Sequence, residues 1–331
     1  MTITAGCSCA PIGGDLLGGG KSWRWRLSRR SDGCCKTCYN ENIEVNEMPE
    51  YEKKGYLVQD FKVFRLQSPM PVPVPFHYHD FHKIILFLAV RGDYIIEGTT
   101  YPLGPRDIAF VREGEIHRPV IDSRGPYERI VIYVAPSFLS RVSRPGADLS
   151  SCFRRAPGEA GVMRLASGHT HELLSQMEKL EQTARGDGFA NGLYTEALFV
   201  EFMILLHRAL FSHELGTVKE AAADEKIQPL LGYIEAHLSG DLSADALAKE
   251  AYLSKFYLMR RFKAATGYSL HKYVTMKRLL YARALLTESP ERTVAEISAD
   301  SGFADYTAFF RAFKSQFSVT PQEWRKMRAG R

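Results

Sequence analysis

Ser254-Lys255-Phe256-Tyr257-Leu258-Met259-Arg260-Arg261-Phe262-Lys263 and Asp305-Tyr306-Thr307-Ala308-Phe309-Phe310-Arg311-Ala312-Phe313-Lys314 are two copies of one pattern, 51 residues apart. Each opens on a residue whose side chain suits a helix N-cap. Each then sets large apolar residues four apart, so that they stack on one buried face. Arg260 and Arg311 fall at the same offset, and a Lys closes each copy. A shorter helical segment and a tight turn precede both. Two helix-turn-helix units with basic outer faces are what a protein needs to enter two successive major grooves of DNA.

Charge supports this reading. From Glu225 to Arg331 there are 17 Lys and Arg against 11 Asp and Glu, whereas Met48 to Asp224 holds 20 against 22. The basic excess sits with the repeats and favours a polyanionic partner there. The length of 331 residues suggests two or three domains, and a 45% hydrophobic content is enough to build cores. The longest apolar runs, such as Ile84 to Val90, fall far short of the ~20 residues of a spanning helix. No secretory signal pattern opens the chain, so a soluble, cytoplasmic protein with no membrane partner is expected. Five cysteines, Cys7, Cys9, Cys34, Cys35 and Cys38, lie in a Gly-, Ser- and Arg-rich start without periodicity. No second ligand pair follows them at zinc-site spacing, and residues 1–47 are expected to be a disordered tail, with Met48 a natural beginning for the folded chain.

Residues 61–135 read as short strands, Ile84–Val90, Asp93–Glu97, Thr99–Leu103, Asp107–Val111 and Arg129–Val134, separated by Gly- and Pro-containing turns. That spacing suggests a β-barrel or sandwich. Residues 137–161 read as irregular. Two helices follow, His171–Thr183 and Ala190–Phe211. The second is apolar on two sides. One side, Leu193, Ala197, Val200 and Ile204, suits packing within the subunit. The other, Leu198, Phe202 and Leu205, is expected to pair with a second subunit. Residues 213–224 read as a polar linker. Helices are expected at Ile227–Leu238, Ser243–Glu250, Ser254–Thr266, Ser269–Thr287, Thr293–Ser301, Asp305–Gln316 and Pro321–Met327. The helix Ser269–Thr287 would hold the two units about one DNA turn, ~10 bp, apart.

The stretch from Ile297 through Gly302, Phe303, Asp305, Phe309, Arg311 and Phe313 to Lys314, followed by Thr320-Pro321 and Trp324-Arg325, resembles the signature of AraC/XylS-type transcriptional regulators. The unit from Leu242 to Gly267 matches as well, so the likeness takes in about 100 C-terminal residues. Two positions depart from the family. Tyr252 stands where the first turn usually has Gly, and Ser318 lies where a Gly usually follows the second recognition helix. A positive φ would strain Tyr, so a differently built first turn is expected. Phe76-His77-Tyr78-His79-Asp80-Phe81-His82-Lys83 and Gly114-Glu115-Ile116-His117-Arg118-Pro119 resemble the two motifs of the cupin-like sensor barrel often joined to such regulators. The implied architecture is multidomain α+β. A cupin-like ligand-sensing barrel spans 48–145, a helical dimerisation segment 146–212, and an all-α double helix-turn-helix domain 225–331. The resemblance implies double-stranded DNA, a small-molecule effector and RNA polymerase as partners; the second apolar side of the helix Ala190–Phe211 adds a homodimer, and whether the output is activation or repression stays open.

In the first recognition helix Lys255, Phe256, Met259, Arg260 and Lys263 share the outward face, and in the second Tyr306, Thr307, Phe310, Arg311 and Lys314 do. Arg suits bidentate reading of guanine, Thr a hydrogen bond or a thymine methyl, and the aromatics apolar contact. The lysines suit phosphates. In the barrel His77, His79 and Lys83 alternate onto one strand face, and His117 ends the second motif. Three histidines at this spacing suit a transition metal, but Lys83 takes the place of the carboxylate that completes such sites in cupin enzymes. The expectation is a small-molecule pocket with no metal and no cofactor. Its buried Lys needs an acceptor, so the effector is expected to be polar, such as a sugar or sugar acid. The leading reading is a sequence-specific DNA-binding regulator and not an enzyme. The alternatives are a metal-dependent cupin enzyme with an accessory helical domain, against which Lys83 and the doubled motif count, and a regulator that needs no effector.

Overall fold

The computed structural model describes Leu57 and residues 59–68, 73–122, 125–154, 161–165, 170–212 and 215–329. The expectations for residues 1–47 and for Met48 lie outside these. Seven strands come first, β1 (Phe61–Ser68), β2 (His82–Ala89), β3 (Gly92–Ile96), β4 (Thr99–Leu103), β5 (Asp107–Val111), β6 (His117–Ile121) and β7 (Tyr127–Val134). Then follow α1 (Pro136–Val142), β8 (Val162–Leu165), α2 (Thr170–Ala184), α3 (Asn191–Phe211) and β9 (Leu215–Thr217). The remainder is helical: α4 (Ile227–Ala236), α5 (Ala244–Glu250), α6 (Lys255–Thr266), α7 (Leu270–Glu288), α8 (Val294–Asp300), α9 (Tyr306–Phe317) and α10 (Pro321–Ala329).

The strands form a six-stranded sheet, β1-β7-β2-β5-β8-β9, facing a three-stranded one, β4-β3-β6, with antiparallel pairing throughout. Strand β2 is apolar without alternation because both its faces are covered. Ile85 and Phe87 point between the sheets, with Tyr94, Val111, Tyr127 and Val131. Ile84 and Leu86 point outward into a second core closed by α1, α2 and α3. Pairing of β2 with both β5 and β7 fixes the register, so Lys83 falls on the inner face with Ile85 and Phe87.

Several expectations need correction. Residues 137–161 are not wholly irregular, since Pro136 at the first position starts α1, which buries Phe138 and Leu139. Within the expected linker, residues 215–222 are not free. Strand β9 extends the sheet, Val218 is buried, and Ala222 pairs with Thr100. The faces of α3 are exchanged: Leu198 and Phe202 are buried against the barrel helices, and Leu193 and Ile204 are exposed. Both stripes have helical period, and α1 and α2 take the one carrying Phe199, Phe202, Met203 and Leu206.

In the C-terminal domain the caps decide where helices begin. Ser243 accepts from the Ala246 N–H, Thr293 and Glu296 form a reciprocal capping box, and Asp305 accepts from Thr307 and Ala308. Ser254 has cap geometry, but its side chain makes no capping bond, unlike the reading of the sequence. Tyr252 adopts φ +54°, so the first turn is built like the second, where Gly302 has φ +82°. In both turns the N–H bonds back three residues, from Tyr252 to Lys249 and from Gly302 to Ala299. Ser318 is likewise left-handed at φ +61°. Among the described residues no helix is long and apolar enough to cross a membrane.

Candidate functional site

The two recognition helices are α6 and α9. Leu258 and Phe262 hold α6 in its core, and Phe309 and Phe313 hold α9 in a separate one. This leaves Lys255, Phe256, Met259, Arg260 and Lys263 exposed on α6. On α9 Tyr306, Thr307, Arg311 and Lys314 are exposed and Phe310 is half-buried. Phe256 is 84% exposed, an apolar surface that nothing among the described residues covers. Lys255 meets Asp245 at 2.7 Å in an exposed pair, which is worth little and yields readily to a phosphate. Arg260 lies 5.7 Å from the Tyr257 ring, and Arg311 bonds weakly to the Thr307 carbonyl at 3.4 Å. Neither guanidinium is committed to a carboxylate at these contacts. Tyr252, which the sequence marked only as a departure in the first turn, is 90% exposed just before α6.

The barrel interior is the second part of the site. His77 and His117 are bridged backbone to backbone, with N–H···O distances of 3.1 and 2.9 Å. The ring centroids of His77, His79 and His117 lie 4.3 to 5.0 Å apart. The Nδ1 of His77 bonds to the Pro75 carbonyl and that of His117 to the Glu115 carbonyl, each at 2.9 Å. A carbonyl only accepts, so each ring carries its hydrogen on Nδ1 and keeps the lone pair on Nε2. Burial first, then the Lys83 charge, holds His117 well below the ordinary histidine range. Lys83 is buried and its pKa is pushed down to about 7, by burial first and then by Arg129. Its ammonium sits 5.8 Å from the Tyr133 ring. Arg129 stacks on Tyr127 at 3.8 Å, and its buried Nη1 has no hydrogen-bond partner; nor does the buried hydroxyl of Tyr94. The four residues expected from sequence, His77, His79, Lys83 and His117, are therefore joined by Arg129 and Tyr94. Both were inside correctly read strands, but inward direction depends on register, which a lone strand does not reveal.

A third set of residues was not anticipated. The segment 76–80 alternates between two environments. His77 and His79 face the barrel interior, and Phe76 and Tyr78 join the apolar core of α4, α5, α6 and α7. A Cβ on Gly267, which ends α6, would stand 2.3 Å from the Phe76 ring, so only Gly allows that approach. The Tyr78 hydroxyl is hydrogen-bonded to Gln316 near the end of α9. Asp80 and Glu113 both pair with Arg283 of α7, at 3.5 and 2.6 Å. Beside them the Glu97 carboxylate accepts from Tyr273 at 2.8 Å and Lys277 at 2.9 Å, and Lys277 also reaches Glu235 at 2.8 Å. Arg112 of the barrel closes the set on Glu235 at 2.8 Å. Burial pushes the Glu97 carboxyl up against the pull of Lys277, whereas Lys277 and Arg112 outweigh burial at Glu235 and hold it at about 2.

Two open helix-turn-helix faces, set on a barrel whose interior offers unmatched donors, define a DNA-binding regulator with a ligand-binding domain. A family model described as an AraC-like ligand binding domain matches residues 68–203, and one described as a helix-turn-helix domain matches residues 247–327. The HTH-type transcriptional activator RhaS of Enterobacter sp. (strain 638) is 26% identical over 262 residues, which are 77% of this chain and 88% of that protein. RhaS of Escherichia coli O1:K1 / APEC is 27% identical over 266 residues, with 77% and 89% covered. Among solved structures, ToxT from Vibrio cholerae O395 aligns over 82% of this chain and 99% of its own at 14% identity and TM-score 0.35. The DNA-binding domain of AdpA in complex with a target DNA aligns over 33% and 97% at 28% identity and TM-score 0.31. The chain belongs to the AraC-type transcriptional regulators. It is a regulator of transcription and not an enzyme.

Proposed function

We propose that this regulator activates transcription in the cytoplasm as a homodimer, in contact with RNA polymerase, and that a small anionic or polyhydroxylated effector, such as a sugar or sugar acid, controls it. The outward residues of α6 and α9 named above read the operator, with Arg260 and Arg311 on bases and the lysines on phosphates. The observation that carries the effector class is the barrel interior. Lys83 is buried, and the Arg129 Nη1 and the Tyr94 hydroxyl are buried donors without a hydrogen-bond partner; such donors are costly until a ligand brings acceptors. The same segment, ahead of β2, that borders this interior holds the DNA-binding domain through Phe76 and Tyr78. An effector that prefers one arrangement of this segment shifts the population between two placements of the recognition helices. The test is a thermal-shift screen of sugars and sugar acids on the full chain, followed by Lys83→Met. A compound that raises the melting midpoint of the wild type and not of Lys83→Met supports the reading. An equal response by both refutes it.

A further inference from the structure

We propose that His77, His79 and His117 form a binding site for a divalent transition metal of the zinc class. One ring nitrogen from each histidine lies within 4.8 Å of the other two, and all three side chains are buried. Two of the rings are fixed as metal ligands usually are. The Nδ1 hydrogens of His77 and His117 are held by the carbonyls of Pro75 and Glu115, which sets the tautomer and leaves Nε2 to coordinate. The Nε2 of His117 is buried and accepts no hydrogen bond. A lone pair so enclosed loses its solvation with nothing in return unless a cation or a donor is supplied.

An all-imidazole donor set suits zinc and its neighbours in the transition series and suits neither calcium nor magnesium. Three protein ligands leave one position of a tetrahedron open. Lys83 lies on the same inner face, its ammonium 5.8 Å from the Tyr133 ring, so the fourth position favours an anion, whose charge offsets the repulsion between Lys83 and the metal. This inference does not depend on the proposed effector: metal alone is the ligand.

The geometry also gives the metal a consequence. Nitrogens sharing a tetrahedral zinc at 2.0–2.1 Å stand about 3.4 Å apart. Binding therefore draws the histidines together by up to about 1.4 Å from the present arrangement. Phe76 and Tyr78 flank His77 directly, so this contraction is transmitted to Gly267, Tyr268 and Gln316 of the DNA-binding domain.

The full chain is the material for the test, with Cys7→Ser, Cys9→Ser, Cys34→Ser, Cys35→Ser and Cys38→Ser to remove competing thiolates. After stripping with a chelator, Zn²⁺ is titrated in competition with a chromophoric chelator, and the X-ray absorption fine structure of the zinc-loaded protein is recorded. One equivalent is expected, with a first shell of nitrogen and oxygen and outer-shell scattering from three imidazoles. His79→Gln and His117→Gln should each bind at least about a hundredfold more weakly. The absorption measurement needs no substitution at the histidines, so it decides the matter even where His117→Gln fails to fold. No zinc bound at micromolar concentration, fewer than three imidazoles in the shell, or undiminished affinity in both variants overturns the site. None of these outcomes touches the effector reading, which Lys83→Met tests with a small molecule.

Discussion

Tyr252 holds a left-handed φ of +54° that costs a side chain about 1 kcal/mol and costs Gly little. The turn keeps this shape because the N–H groups of Tyr252 and Leu253 close the end of α5 on Lys249 and Ala248. Tyr252→Gly should therefore leave stability unchanged or raise it by up to about 1 kcal/mol in urea melts, with relief of strain set against unfolded-state entropy. A loss of more than this would mean that the ring supports the fold. A drop in operator affinity in the same variant would assign the exposed ring to DNA. For Arg260→Ala and Arg311→Ala the expected cost is roughly 1–3 kcal/mol each, with relaxed preference at one base position in a binding-site selection. Uniform weakening across all sequences would make them phosphate contacts. The recognition faces were legible in the sequence because helical period and two aligned copies fixed which side is buried. The turn at Tyr252 was not, because strain is outweighed by hydrogen bonds that no residue pattern announces.

Helix α3 presents Leu193, Ala197, Val200, Ile204 and Leu205 along one open groove, edged by Glu196, Glu201 and Arg208. Leu193 is 71% exposed and Ile204 39%. An apolar stripe edged by both charge signs suits a second copy of itself. Ile204→Glu should give a folded monomer in sedimentation, with weaker operator binding because linked half-sites lose effective concentration. A wild type that is monomeric at micromolar concentration would end the dimer proposal. Phe202→Glu is a different experiment. Phe202 is fully buried, so a carboxylate there should cost more than about 3–5 kcal/mol and abolish a cooperative melt. The sequence revealed two apolar stripes and not which one turns inward, because that depends on α1 and on the β1–β7 pairing, both contacts made at long range. The barrel strands were legible for the opposite reason: their apolar runs are bounded by local turns. Strands β1 and β6 were not delimited within the region read as strands, and β8 and β9 escaped notice because three or four residues are too few to show a period.

At the scale of the molecule, the described residues fasten the barrel to the DNA-binding domain by one apolar core and two ionic clusters. Glu235 gives the fastening a pH dependence. Its pKa is depressed to about 2 from 4.5, so its contribution is full above about 4.5 and fades as pH falls toward 2. Glu97, raised by burial, works in the opposite sense and takes up its proton earlier. The gap in urea midpoint between wild type and Glu235→Gln should thus be widest above pH 4.5 and close toward pH 2. A gap that stays constant with pH would show that Glu235 acts by packing alone. The segment 76–80 has a further consequence for anyone recombining such regulators. Its odd residues belong to the sensor and its even residues to the reader, so no cut in the chain separates the two roles. A chimera that grafts this barrel onto another DNA-binding domain inherits Phe76, Tyr78 and Asp80 without their counterparts. It should stay deaf to its signal until Gly267, Arg283 and Gln316 travel with it, and the seam for such grafts is therefore a surface and not a linker.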